Sequence, residues 1–132
     1  MQKKILVVDD EPNITMVMQE QLELQGYSVI VASDGTEGLE KAKKEKPDLI
    51  ILDVMLPKMN GYEVCGLLKQ DEKYASIPII LFTGRTQDSE KELGKKIGAD
   101  AHLTKPFGTK MLLETIKKLL NEPTEKPPAQ QK

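Results

Sequence analysis

The sequence predicts an open α/β domain, one parallel sheet of five strands with helices on both faces. Two runs carry this expectation. Pro47-Asp48-Leu49-Ile50-Ile51-Leu52-Asp53 and Pro78-Ile79-Ile80-Leu81-Phe82-Thr83 are apolar over 49–52 and 79–82, leave no side for solvent there, and end on a polar residue. Strands buried on both faces belong to parallel sheets covered by helices. The third observation is alternation: short apolar runs are separated by stretches of helical spacing, and each parallel pair needs a helical crossover of one hand. In such sheets ligands bind beyond the carboxyl ends of the strands, where the terminal Asp53 and Thr83 fall.

Each element follows from local signals. Ile5 to Val8 is a short β-branched run that ends on Asp9-Asp10-Glu11, and Pro12 then suits the first turn of a helix. Ile14, Val17, Met18 and Leu22 recur at helical spacing up to Gly26, a left-handed cap position. Residues 28–31 form the second strand, and residues 36–46 an amphipathic helix on Leu39 and Ala42 that Pro47 ends. After Asp53, a loop between Pro57 and Gly61 leads to a helix over 62–70, with Val64, Leu67 and Leu68 on one side and Cys65 as an inert, partly buried thiol. Residues 89–97 make a thinly apolar helix with Gly94 inside it, the least firmly held of the five. Residues 101–103 are the last strand and 111–120 the last helix, facing inward with Leu112, Ile116 and Leu119. From Asn121 the composition turns to Pro, Glu, Lys and Gln. The domain is therefore expected over 1–121, with 122–132 a Pro-rich disordered tail or a truncated linker.

Composition narrows the function. At 132 residues the chain makes one domain, and 19 basic against 21 acidic side chains give a net charge of −2, with no general attraction to nucleic acid. One cysteine cannot form an internal disulfide, a reducing-compartment profile. The two lysines before Ile5 resemble the start of a signal peptide, but the apolar run is too short, and no stretch approaches a membrane span. A soluble, cytoplasmic protein is expected.

A parallel sheet gathers Asp9, Asp10, Asp53, Thr83 and Lys105 along one edge, because each follows its own strand. Three carboxylates close together raise one another's pKa unless a cation intervenes. Carboxylate, carbonyl and water oxygens are what Mg²⁺ takes, and no His or Cys lies nearby in sequence to suggest zinc. The alternative, that Asp9 and Asp10 merely cap a helix, leaves three consecutive acids where one suffices. A phosphoryl group is the ligand such an edge expects, shared among Mg²⁺, the Lys105 ammonium and the Thr83 hydroxyl, and a carboxylate can itself attack it to form an acyl phosphate.

These residues carry a resemblance. Val7-Val8-Asp9-Asp10-Glu11, Leu52-Asp53-Val54-Met55-Leu56-Pro57 with Gly61, Leu81-Phe82-Thr83-Gly84, and Gly98-Ala99-Asp100 leading to Leu103-Thr104-Lys105-Pro106-Phe107 stand in the order found in response-regulator receiver domains. The chain resembles these CheY-like modules of two-component signalling from about Lys3 to Leu120. The resemblance implies a single flavodoxin-like, doubly wound domain with strand order 2-1-3-4-5. It implies that Asp53 accepts phosphate from a sensor histidine kinase or phosphotransfer protein. Asp10, Asp53 and the Met55 carbonyl would hold Mg²⁺, with Asp9 acting through water, and Lys105 would contact the phosphoryl group. Thr83 would bond the phosphoryl group and draw the fourth strand's loop inward. The Lys105-Pro106 peptide would be cis. The switched face, formed by the fourth helix, last strand and last helix, would bind an unknown target protein or effector domain. The chain departs from the pattern at His102, where the partner aromatic of the switch usually stands.

Other readings fit less well. A haloacid-dehalogenase-type phosphatase needs a second Asp two residues beyond its nucleophile, and Met55 stands there. A dinucleotide site needs glycines after the first strand, where three acids stand. A receiver-like scaffold that is never phosphorylated has no need of intact Asp10, Asp53, Thr83 and Lys105. The reading is thus a signalling receiver, not an enzyme beyond its own phosphorylation and slow autodephosphorylation.

Overall fold

A computed structural model describes residues 2–84, 97–105 and 108–122. Its strands are β1 (Lys4–Val8), β2 (Ser28–Ala32), β3 (Leu49–Asp53), β4 (Ile79–Thr83) and β5 (Ala101–Thr104), and its helices α1 (Pro12–Leu24), α2 (Gly35–Glu45), α3 (Gly61–Lys69) and α4 (Thr109–Leu119). All pairings are parallel and the sheet runs β2-β1-β3-β4-β5, the order that the resemblance implies. The helix expected over 89–97 lies outside the described residues except for Ile97. Pro106, with the peptide geometry expected there, lies outside them too, as do residues 123–132 of the expected tail.

Alternation along the central strands builds two cores. Leu6, Val8, Ile50, Leu52, Ile79 and Leu81 pack under α2 and α3 with Ala42, Val64, Cys65 and Leu68. Ile5, Val7, Leu49, Ile51, Ile80 and Phe82 face the other way and meet Met18, Leu22, Leu112 and Ile116. Every residue of β3 and β4 is buried, which is why both runs lack a polar side. Cys65 is wholly buried, and burial pushes its thiol up to about 11, so it stays protonated and inert.

Helix ends follow local chemistry. Pro12 opens α1, as expected. The Asp34 carboxylate accepts from Glu37 N–H, which starts α2 at Gly35, one residue earlier than its apolar period shows. Asn60 and Glu63 form a reciprocal capping box at α3. The last helix begins at Thr109, two residues before its first apolar position, because Gly108 supplies the extended cap. Two inward assignments shift. In α1 the buried stripe is Thr15, Met18 and Leu22, while Val17 is exposed; the Thr15 hydroxyl donates to the Pro12 carbonyl at 3.1 Å and so enters the core satisfied. In α3, Leu67 is exposed and Cys65 takes the inward place.

Two tethers close the domain away from the acidic edge. Lys69 Nζ donates to the carbonyls of Ala75 and Ile77 and to Asp100 Oδ2, and that oxygen also accepts from Ile79 N–H. Glu122, assigned to the tail from composition, accepts from the Tyr27 hydroxyl at 2.7 Å, and its own N–H donates to the Lys117 carbonyl. The packed structure thus reaches one residue beyond 121.

Gly61 marks the tightest approach at the end of β3. A Cβ there would overlap the Asp53 carbonyl oxygen and stand 2.9 Å from Val54 Cα, both backbone atoms that cannot turn aside. Gly61→Ala should therefore destabilise the fold by about 1–3 kcal/mol, read as a lower urea midpoint at unchanged slope. A variant as stable as the parent would show that the loop yields freely.

Candidate functional site

β1 lies between β2 and β3, so the chain leaves β1 toward one side of the sheet and reaches β3 on the other. That reversal opens a crevice at the carboxyl ends of β1 and β3. Asp9 and Asp10 follow β1, Asp53 ends β3, Thr83 ends β4 and Lys105 follows β5. The structure therefore brings the expected edge residues to one place. Carboxylate oxygens of Asp9, Asp10 and Asp53 lie within 4.8 Å of one another.

Burial separates the three acids in a way their order in sequence does not reveal. Asp9 is 1% exposed and Asp53 4%, whereas Asp10 is exposed. Each buried carboxylate turns one oxygen to the backbone: Asp9 Oδ1 accepts from Glu11 N–H at 2.9 Å and Asp53 Oδ1 from Met55 N–H at 3.3 Å. The other oxygens face Lys105 Nζ, each at 3.6 Å. At that distance they attract the ammonium without a hydrogen bond, and Asp9 Oδ2 is buried with no hydrogen-bond partner among the described residues. Capping does not explain these acids, because the cap residue of α1 is Glu11, without a side-chain cap bond.

The electrostatics follow from this crowding. Burial pushes the Asp53 carboxyl up to about 6, the Asp9 charge adds to the rise, and Lys105 and the Met55 amide oppose it. Asp9 is likewise raised, mainly by burial, against the Glu11 amide and Lys105. Among the described residues, one ammonium faces three carboxylates, which it does not balance. Hard oxygen donors, with a buried oxygen lacking a donor and an excess of negative charge among the described residues, fit a small divalent cation such as Mg²⁺.

The amine is itself well placed. Lys105 N–H donates to the Thr83 carbonyl at 2.7 Å, joining the ends of β4 and β5. Its ammonium stands 4.9 Å from the centre of the Phe82 ring. The apolar parity of Phe82 in β4 tells that it is buried, but not that it lies under the lysine. Thr83 is fully buried at the strand end. His102 is half-buried on β5, in register with Leu81, while Thr83 is in register with Thr104. Met55 is 61% exposed in the loop after β3.

A doubly wound α/β domain with this acidic, lysine-bracketed crevice is of the CheY-like class. The family model for the response regulator receiver domain matches residues 5–117, and the chain belongs to that family. It is 50% identical over 120 residues to PhoP, the alkaline phosphatase synthesis transcriptional regulatory protein of Bacillus subtilis, covering 91% of this chain and 49% of PhoP. The chain spans about half the length of the curated relatives it matches. The chemotaxis protein CheY4 of Vibrio cholerae superposes with a TM-score of 0.85 at 37% identity, over 90% of this chain and 99% of CheY4. The receiver domain of the sensor histidine kinase PA1611 of Pseudomonas aeruginosa, solved with a magnesium ion coordinated in its active-site cleft, superposes at 0.84 with 26% identity, over 92% and 100%. Among the described residues no helix is long and apolar enough to cross a membrane.

Proposed function

We propose that this chain is the phosphoacceptor of a two-component relay and that Asp53 is the residue phosphorylated. The observation that carries the reading is the pairing of two buried carboxylates, Asp9 and Asp53, with one ammonium at equal distance, beside an Asp9 oxygen that has no donor among the described residues. Family membership, the similarity to CheY4 and the magnesium site named for the PA1611 domain support it. The Asp9, Asp10 and Asp53 carboxylates with the Met55 carbonyl would hold Mg²⁺. Bound Mg²⁺ would supply charge neutralisation and polarise the phosphoryl oxygens.

The chain's own residues do the rest. An Asp53 oxygen attacks phosphorus, the bond to the donor's nitrogen or acyl oxygen breaks, and the donor leaves with that electron pair. Lys105 follows the transferred charge from the carboxylate to the phosphoryl oxygens, with its ammonium over the Phe82 ring. Thr83 donates its hydroxyl to the phosphoryl group, and His102 on the neighbouring strand registers the movement. The donor is a sensor histidine kinase or a phosphotransfer protein in the cytoplasm, and the receiver domain ends near residue 121. The output is a target protein or an effector domain. PhoP is by name a transcriptional regulator, so the expectation of no direct nucleic-acid contact is kept for this domain alone, whose net charge is −2.

With Mg²⁺ and a small acyl phosphate, the protein should gain one phosphoryl mass, and Asp53→Asn should gain none. Equal labelling of the variant would remove Asp53 from the role.

A further inference from the structure

The β3–α3 loop carries Met55 and holds Lys58 in the left-handed region, at φ 70°. An L side chain adopts that conformation where its surroundings impose it. Here the conformation belongs to a tight turn from Pro57 to Met59, and the start of α2 packs against that turn. Gly35 N–H donates to the Pro57 carbonyl at 3.2 Å, an oxygen that also accepts from Met59 N–H at 2.7 Å. Asp34 serves the same corner with both oxygens: Oδ1 accepts from Glu37 N–H at 2.7 Å, and Oδ2 stands 3.6 Å from Lys58 Nζ. The two segments meet so closely that a Cβ on Gly35 would overlap the Met59 carbonyl oxygen and crowd Met59 Cβ at 2.8 Å. From the strand side, Val54 is pinned by its N–H to the Phe82 carbonyl at 3.0 Å, while the Met55 N–H makes a long 3.3 Å bond to Asp53.

We propose that Asp34 and Gly35 are positioning residues of the metal site: the α2 corner fixes the β3–α3 loop, and with it the Met55 backbone relative to Asp9, Asp10 and Asp53. This rests on the reading above, in which Met55 joins those carboxylates around Mg²⁺. The corner touches no reacting atom. Its effect is on how well the loop is preorganised, and residues that orient metal ligands typically alter affinity by roughly 10- to 100-fold. Three observations converge on it: a strained lysine, a backbone contact that only glycine permits, and an aspartate whose two oxygens bind both segments.

The test is calorimetric titration of Mg²⁺ alone into the folded parent and into Gly35→Ala, Asp34→Ala, Asp34→Asn and Asp10→Asn, with urea midpoints measured beside it. Gly35→Ala should weaken Mg²⁺ binding by about tenfold, equivalent to ~1.4 kcal/mol. Asp34→Ala should weaken it about three- to fivefold, and Asp34→Asn by less, because asparagine loses the same charge but keeps the cap on Glu37. Should Gly35→Ala not fold, the difference between Asp34→Ala and Asp34→Asn decides. Lower urea midpoints with parental Mg²⁺ affinity would make the corner purely structural and overturn the proposal, provided Asp10→Asn weakens binding in the same series. If Asp10→Asn also binds like the parent, the metal reading itself fails, and this inference falls with it.

Discussion

Asp53→Asn should make the metal-free protein more stable at pH 8 than the parent. The Asp53 carboxyl is raised from 3.8 to about 6, chiefly by burial and then by the Asp9 charge. Between those two values the folded state holds a proton that the unfolded state has released, so the parent loses stability as pH rises through this window. Below it nothing is lost; above about pH 6 the full penalty applies, on the order of 3 kcal/mol for such a shift. Asparagine removes the charge and retains an oxygen for the Met55 amide, so a gain of about 1–3 kcal/mol is expected at pH 8, shrinking toward zero near pH 4. Saturating Mg²⁺ should stabilise the parent much more than the variant and narrow the gap. Urea melts at pH 4, 6 and 8, with and without Mg²⁺, measure this. A variant less stable than the parent at pH 8 would mean that the crevice compensates the charge without a metal.

Lys105→Ala should slow phosphorylation of Asp53 by about 10- to 100-fold, the range of one charge-assisted hydrogen bond of roughly 1.5–3 kcal/mol. The variant should still fold. Its amine opposes two buried carboxylates from 3.6 Å, so stability should fall by about 1–2 kcal/mol without metal, and Mg²⁺ should restore most of it. Rates of intact-mass gain with an acyl phosphate, beside urea midpoints, separate the two effects. Parental labelling in a folded variant would take the amine out of the transfer; failure to fold would make it a structural counter-ion.

The strands at the centre of the sheet were the most legible part of the chain. Residues 49–53 and 79–83 admit no solvent face, and the structure gives them none. β2 lies at the edge and is mostly half-buried, so composition alone marked it more faintly. Strand order came with the family resemblance and not from periodicity, because alternation of strands and helices is the same for several orders. Helical spacing located the apolar stripe of α1 but not its centre: Thr15 lies inward because its hydroxyl is satisfied within the first turn, and Val17 does not. At the site, the strand-end rule gathered Asp9, Asp10, Asp53, Thr83 and Lys105. It did not distinguish the buried Asp9 from the exposed Asp10, place Phe82 under the lysine, or bring Gly35 to Pro57. Those depend on contacts between segments far apart in sequence, and no local pattern encodes them.

The central claim is that Asp53 accepts the phosphoryl group in a reaction that needs the acidic cluster and its metal. Its most direct test is to treat the protein with Mg²⁺ and an acyl phosphate, reduce the product with borohydride, which converts an aspartyl phosphate to homoserine, and locate the change by peptide mass spectrometry. Homoserine should be found at position 53 alone and should disappear when the metal is chelated. Homoserine at position 9 or 10, or undiminished conversion in the presence of chelator, would contradict the account.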